Sequence, residues 1–400
     1  MRKKQQVSLI VKNKWLRSFD NKNPLIHREA ILNYQNLKEE GSIVNVYDEK
    51  SNFIGKGYYG EQNKGCGWII SREKKCVVDV DFLSKLFINS INRRKKFYND
   101  NTTNSFRIFN GEGDGFGGFT IDNFDDYYMI TWYNKGIYKF KDLIIAALMK
   151  VVSCKGLYEK KRFDKEGKYV EANDFIRGEK APEPLIVLES GVKFAIYLND
   201  GPMVGVFLDQ REVRKTIRDK YAKNKTVLNT FSYTGAFSVF AALGGASMTT
   251  SVDLANRSKE KTMEQFKING IDPNSQEIEI EDVFDYFKIA AKKKRSFDLV
   301  ILDPPSFARS KKRTFSVAKD YVKLLVDAIT ITNSNGVIVA STNCSNFNMV
   351  KFKKFIALAF EDMNMKYEIL ETHSLPKDFY VSKDFPEGNY LKVVFIKKLS

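Results

Sequence analysis

The chain has 400 residues, more than one ordinary domain holds, so two or three domains are expected. Hydrophobic residues make up 43% and charged residues 28%, which supports folded cores and excludes wholesale disorder. Lys and Arg number 65 against 49 acids, and a formal charge of +16 favours a polyanionic partner, because each basic contact to a phosphate releases a counterion. A merely soluble basic protein is the alternative reading of the charge. Residues 1–15 are basic but lack the apolar run of a signal peptide, and no stretch reaches the ~18 apolar residues of a membrane span. A cytoplasmic location without membrane contact is therefore expected. Cys66, Cys76, Cys154 and Cys344 lie far apart, with no CxxC pair, no zinc spacing and only two histidines to help, so free thiols and no metal are expected.

The first ~75 residues read as short strands broken by Gly and Asn, at Ser42 to Tyr47, Phe53 to Tyr59 and Gly67 to Ile70, a pattern that suits a small β-barrel. Asp81 to Tyr98 is helical by pattern, since Phe82, Leu83, Leu86, Phe87, Ser90 and Ile91 recur at three-to-four spacing. The run Arg93-Arg94-Lys95-Lys96 closes that helix, and either dipole capping or RNA contact accounts for it. The glycine cluster from Asn110 to Gly118 reads as a tight structural turn; no Lys-Ser/Thr follows it, so it is not a P-loop. Strands are expected at Phe119 to Asp122 and Tyr127 to Tyr133, a helix near Lys141 to Val152, and a long polar loop from Phe163 to Pro184.

From about Lys225 apolar strands alternate with helices. Strands fall at Thr226 to Asn229, Ser247 to Asp253, Glu277 to Ile280, Phe297 to Asp303 and Gly336 to Ser341, with helices from Gly235, from Asn256 and near Lys319 to Thr332. Such a βαβ series implies a parallel sheet covered on both faces, whose ligands sit at the carboxyl ends of the strands. The first strand runs into Phe231-Ser-Tyr233-Thr-Gly235, which has one glycine where a dinucleotide fingerprint has three. Asp253 ends the second strand and can accept from two ribose hydroxyls; Glu281-Asp282 follows the third, where a carboxylate can meet an adenine amino group; Asp303 follows the fourth. Each acid alone reads as a solvated surface group. Three at successive strand ends beside a glycine turn suit a cationic, adenosine-bearing ligand such as S-adenosylmethionine.

These residues resemble the class I methyltransferases, and more narrowly the bacterial 23S ribosomal RNA methyltransferases that form 5-methylcytosine and carry an N-terminal PUA domain. The resemblance rests on Asn110 to Gly115, Gly205-Val-Phe-Leu-Asp-Gln-Arg211, Leu228 to Phe237, Ser251-Val-Asp253 and Asp298 to Phe307, and spans most of the chain. It implies an α/β fold in three parts: a PUA-like RNA-binding β-barrel at 1–75, a central α/β domain with its connecting helix at 76–200, and a Rossmann-like catalytic domain at 201–400. It further implies that Phe231, Tyr233, Thr234, Gly235, Asp253, Asp282 and Asp303 line the S-adenosylmethionine. Asp209, Gln210 and Arg211 would stand at the entrance to the catalytic domain, where contact with RNA and an ion pair holding two domains together are both open.

Cys344 ends the fifth strand on the same rim as Asp303. Free cysteine is usually a small buried hydrophobe, the reading that suits the other three. Carbon 5 of cytosine is a poor nucleophile, and a thiolate adding to carbon 6 turns it into an enamine carbon able to attack a methyl sulfonium. Cys344 is the expected nucleophile and Asp303 the group that meets N3 of the base. A second group of 5-methylcytosine RNA enzymes carries another cysteine at the position of Ser306, so release here would follow a one-cysteine route. Phe307 suits either stacking on a flipped base or core packing, and Arg309, Lys311, Lys312 and Arg313 would track phosphates. Ribosomal RNA or a large-subunit particle is the expected partner, and a homodimer is an open assembly. Two rivals remain: a guanine N2 or N7 methyltransferase on the same fold, which leaves Cys344 idle, and a non-catalytic RNA-binding assembly factor.

Overall fold

Short, strongly alternating strands dominate the N-terminal part of the computed structural model, which describes residues 6–62, 65–163, 174–201, 203–309 and 314–399. Five strands, β1 (Gln6–Val11), β2 (Leu25–Ile26), β3 (Ile43–Asp48), β4 (Phe53–Gln62) and β5 (Gly65–Ser71), form a sheet in the order β1-β3-β4-β5-β2. The segment after β2 returns to β1 through a Val11–Ile31 bridge, so the sheet comes round on itself as a barrel does. Next come helix α1 (Val80–Arg93), a short α2 (Lys95–Tyr98), β6 (Ser105–Asn110), β7 (Phe119–Phe124), β8 (Tyr127–Trp132), α3 (Lys141–Val151), β9 (Gly156–Lys161) and β10 (Phe175–Gly178). These five strands make a second sheet, ordered β10-β9-β8-β7-β6.

Chain compactness divides the molecule into two units. The first holds residues 1–185, 197–204 and 377–388; the second holds 186–196, 205–376 and 389–400. Within the first, Trp68 and Tyr58 of the barrel share a core with Phe87, Phe116, Phe119, Trp132 and Phe140. The glycine cluster between β6 and β7 is a turn. Gly118 sits at φ +102°, and a Cβ there would meet the Tyr58 hydroxyl at 2.1 Å.

Two expectations need correction in this unit. The run at the end of α1 does not face solvent throughout, and its Arg94 Nη1 donates back to the Ser90 carbonyl of the last helical turn at 2.9 Å. Arg94 is fully buried, pairs with both carboxylate oxygens of Asp114 at 3.1 and 2.7 Å, and donates to the Asp378 carbonyl at 2.8 Å. Arg93 adds a third bond to Asp114. The segment expected as a loop from Phe163 to Pro184 contains β10, an edge strand of four residues paired with β9. A strand that short and half exposed leaves no alternation long enough to read.

In the second unit β11 (Leu185–Glu189) and β12 (Val192–Ile196) pair together. After α4 (Arg211–Thr216), strands and helices alternate: β13 (Thr226–Thr230), α5 (Ala236–Leu243), β14 (Met248–Asp253), α6 (Arg257–Ile268), β15 (Glu277–Ile280), α7 (Val283–Lys292) and β16 (Phe297–Leu302). A small hairpin, β17 (Phe307–Arg309) and β18 (Thr314–Ser316), precedes α8 (Val317–Thr330), β19 (Thr332–Thr342), α9 (Met349–Asp362), β20 (Tyr367–His373) and β21 (Lys392–Lys398). The seven-stranded sheet has the order β15-β14-β13-β16-β19-β21-β20, its first five strands parallel and β21 antiparallel to both neighbours. Side-chain alternation explains the two-faced cover. Leu228, Val300, Leu302, Ile338 and Ala340 pack on one face with residues of α7, α8 and α9, while Val227, Leu299, Ile301 and Val339 pack on the other with residues of α4 and α5. Strand order reverses between β13 and β16, so a crevice opens at the carboxyl ends there. No helix among the described residues is long and apolar enough to cross a membrane.

Candidate active site

The loop leaving β13 is held in an unusual backbone. Phe231 and Tyr233 lie at φ +54° and +52°, in the left-handed region that side chains rarely adopt, and Gly235 lies at +75°. Strain of this kind persists where the surroundings over-determine it. Asp253, at the end of β14, accepts the Tyr233 amide at 2.8 Å through Oδ2 and the Ala255 amide at 2.9 Å through Oδ1. Each oxygen thus spends one lone pair on the backbone and keeps capacity for a hydroxyl. Gly235 has a packing role, since a Cβ there would meet Thr262 Cγ2 of α6 at 2.4 Å. The Thr234 hydroxyl is turned inward, donating to the Gly205 carbonyl at 2.7 Å. Phe231 packs on Phe284 and Phe315, and Tyr233 meets the ring of Phe207 at a 5.5 Å centroid distance. Asp282 caps α7: its Oδ1 accepts from the Phe284 and Asp285 amides.

Register places β16 beside β19 with Leu302 opposite Ala340, so Asp303 and Ser341 follow as neighbours on the rim. Asp303 Oδ1 accepts from Gln210 Nε2 at 3.0 Å, and the same nitrogen donates to Ser341 Oγ at 2.8 Å. The carboxyl of Asp303 is pushed up to about 6. Burial is the main cause and the nearby Asp209 adds to it, against hydrogen bonds from Ser341 and Gln210 and the charge of Arg214. The Tyr321 hydroxyl, on α8, donates to the Ser341 carbonyl at 2.7 Å and fixes that strand end from beneath. Cys344 is 6% exposed, two residues past β19, with its amide donating to Thr342 Oγ1 at 3.1 Å. Ser306 Oγ donates to Asn343 Oδ1 at 2.6 Å, tying the loop after Asp303 to the loop that carries Cys344.

The other cysteines lie elsewhere. Burial pushes the Cys66 thiol up to about 12 and that of Cys154 up to about 11, which removes thiolate at neutral pH. Phe307 is 63% exposed, which rules out the core-packing alternative for it. Arg309 is exposed beside it, while Lys311, Lys312 and Arg313 lie outside the described residues. Arg211 departs from expectation. It is 2% exposed and lies 3.8 Å from Glu189, which also takes a two-pronged bond from Arg214 at 2.8 and 2.7 Å. A guanidinium so enclosed is not presented to a phosphate of RNA, and its contact with Glu189 lies within the second unit. Asp209 accepts from the Tyr390 hydroxyl at 2.9 Å, and Gln210 is buried against Asp303. Ser341 and Tyr321 were not legible as site residues in the sequence; the one available signal was the position of Ser341 at a strand end. Among the described residues no cluster of His, Cys, Asp or Glu is placed to hold a metal ion.

A doubly wound sheet, a strained loop after its first strand and a carboxylate ending the second define a nucleoside-binding transferase of the class I type. The chain belongs to the S-adenosylmethionine-dependent methyltransferase family, which matches residues 152–352, and residues 9–72 match a PUA-like domain. Bacillus subtilis (strain 168) YwbD, whose name places it among ribosomal RNA large subunit methyltransferases, is 55% identical over 377 residues, 94% of this chain and 95% of its own. The Aeromonas salmonicida (strain A449) protein named ribosomal RNA large subunit methyltransferase I is 28% identical over 384 residues, 95% of this chain and 96% of its own. A crystal structure described as a methyltransferase complexed with SAH superposes with a TM-score of 0.91 at 41% identity, covering 98% of this chain and 100% of that one. The cofactor of this enzyme is S-adenosylmethionine, and the donor set fits it: Asp253 retains acceptors for a ribose, and the adjoining backbone is strained in the way ligand loops are.

Proposed function

We propose that this enzyme methylates carbon 5 of a cytosine in large-subunit ribosomal RNA, with Cys344 as nucleophile and Asp303 as the acid that meets N3. The observation that carries the reading is a cysteine two residues beyond β19, on the strand beside the one that ends in Asp303. The names of the full-length relatives support the RNA class, and the PUA-like match with a charge of +16 supports a phosphate-rich partner. Phe231, Tyr233, Thr234, Gly235, Asp253, Asp282 and Asp303 form the cofactor cradle in this reading. Asp253 takes the ribose hydroxyls, whereas Thr234, Gly235 and Asp282 act by fixing the loop and helix around it. The three parts 1–75, 76–200 and 201–400 serve RNA binding, connection and catalysis, in a cytoplasmic enzyme.

Bound S-adenosylmethionine supplies an electrophilic methyl group. The Cys344 thiolate forms the Sγ–C6 bond, and the displaced electron pair is taken up as Asp303 delivers its proton to N3. Carbon 5, now an enamine carbon, takes the methyl group. Loss of the carbon-5 proton to a base restores the C5=C6 bond, expels the thiolate and returns the N3 proton to Asp303. Phe307, exposed on its hairpin, is placed to stack on the extruded base, and Arg309 with Lys311, Lys312 and Arg313 tracks the flanking phosphates.

Cys344→Ala tests this directly. Methyl transfer should fall at least a thousandfold while S-adenosylmethionine and RNA binding persist. RNA carrying 5-fluorocytosine should trap the wild-type protein covalently, because fluorine does not leave as a proton, and should not trap the variant. Full activity in Cys344→Ala overturns the covalent route in favour of a guanine target; no methylation of any ribosomal RNA by the wild type favours the assembly factor.

A further inference from the structure

Asp303 has an immediate neighbour whose chemistry the mechanism has not used. Gln210 is 3% exposed, and its Nε2 spends both hydrogens, one on Asp303 Oδ1 and one on Ser341 Oγ. Its Oε1 is also buried and has no hydrogen-bond partner among the described residues. An idle buried acceptor is costly and calls for an explanation. A carboxamide carries a donor and an acceptor on the same planar group and stays neutral at every working pH. A half-turn of the amide exchanges them, and the two neighbours can follow: the Ser341 hydroxyl donates as readily as it accepts, and Asp303 becomes a donor once protonated.

We propose that Gln210 is the positioning residue of Asp303, aiming its carboxyl at the base and keeping it hydrogen-bonded both with and without the proton it transfers. In the ionised state Nε2–H is given to the carboxylate, as observed. In the protonated state Oε1 receives the Asp303 O–H. The scaffold around this pair is fixed: Tyr321 holds Ser341 through its carbonyl, Tyr390 holds Asp209 on the Gln210 turn, and Arg214 is anchored on Glu189. Asp209, Arg214 and Tyr321 are the charged or titratable groups that act on Asp303 from the elements packed around it. None of them changes partner between the two states, so the Gln210 amide follows the proton together with the rotatable Ser341 hydroxyl. The inference rests on Asp303 meeting the base and not on which base atom is methylated.

Gln210→Leu keeps the volume and removes both halves of the amide. A hydrogen bond to a charge is worth more than one to a neutral acid, so the loss penalises the ionised form most. The alkaline limb of the kcat profile, where Asp303 loses the proton it must deliver, should move up by about one pH unit, and kcat should fall tenfold or more with KM for RNA changed less than threefold. Gln210→Glu, which sets a second carboxyl beside the first, should move the limb further in the same direction. In an Asp303→Asn background Gln210→Leu should cost nothing further. The infrared carboxyl band that disappears in Asp303→Asn gives the same titration with no substrate, so it reads Gln210 even if the proposed target base is wrong. An unmoved band in Gln210→Leu, or a loss that adds to that of Asp303→Asn, overturns the proposal.

Discussion

Two buried carboxylates, one in each unit, are handled in opposite ways. Asp114, in the glycine-rich turn, is surrounded by cations: Arg94 grips both its oxygens, Arg93 adds a bond, and its Oδ2 also accepts the Asn110 amide. Asp303, after the end of β16, is given no direct ion pair among the described residues and meets an amide and a hydroxyl instead. The first arrangement fixes a charge permanently and anchors a turn. The second leaves a charge under-compensated, and burial pushes the carboxyl up to about 6. Burial alone does not distinguish a structural acid from a reactive one. The partner does.

The contrast can be broken from either side. Arg94→Ala strands Asp114 in the interior and should cost about 3–5 kcal/mol of stability, read by urea unfolding of the whole protein. A loss near zero would remove the structural half of the comparison. Asp303→Asn should do the reverse and stabilise the protein by about 2–3 kcal/mol at pH 8. The sign follows from a folded-state carboxyl at about 6 against an ordinary 3.8. The folded protein holds this proton more tightly, so its stability declines as pH rises from about 4 to about 6, and the gain from Asn should vanish at pH 4. A gain independent of pH would mean that the charge is not what burial penalises.

Asp253→Ala sharpens the distinction with a third kind of acid, one that holds backbone amides and, in the proposed reading, the ribose of the cofactor. It should weaken S-adenosylmethionine binding by about 1.5–3 kcal/mol in calorimetry, the range for hydrogen bonds to a charged group. The smallest effect is expected for the cationic run proposed to track phosphates. Replacing Lys311, Lys312 and Arg313 by Ala should reduce the slope of log RNA affinity against log salt by roughly 2, and an unchanged slope would make this run an ordinary solvated face.

The same contrast explains what could be read in the sequence. Two strand ends were legible because an apolar run stops there, Leu299-Val-Ile-Leu302 before Asp303 and Val337-Ile-Val-Ala340 before Ser341, with Cys344 a few residues on; Asp253 closes the more polar β14. Arg94 was not legible. In Arg93-Arg94-Lys95-Lys96 four cations look alike, and the partners that mark one of them as interior stand 20 and 284 residues further along, at Asp114 and Asp378. Arg211 failed for the same reason, since its acidic neighbour Glu189 belongs to a different local element. Gln210 was legible as a residue near the site but not in its duty, because an amide gives no sign in sequence of which carboxylate it serves.

One consequence concerns the making of the protein. Residues 377–388 belong to the first unit, and it is there that Arg94 and the Arg107 amide find their contacts with Asp378. A growing chain emerges N-terminal part first. The barrel and its neighbouring sheet must therefore wait, with an arginine already buried and one of its acceptors not yet synthesised, until nearly the whole catalytic sheet has been translated. The first unit is begun first and completed only after most strands of the second. The appearance of residues 377–388, rather than of its own strands, becomes the moment at which it can lock, and a stalled chain lacking that return segment would be a natural target for proteolysis.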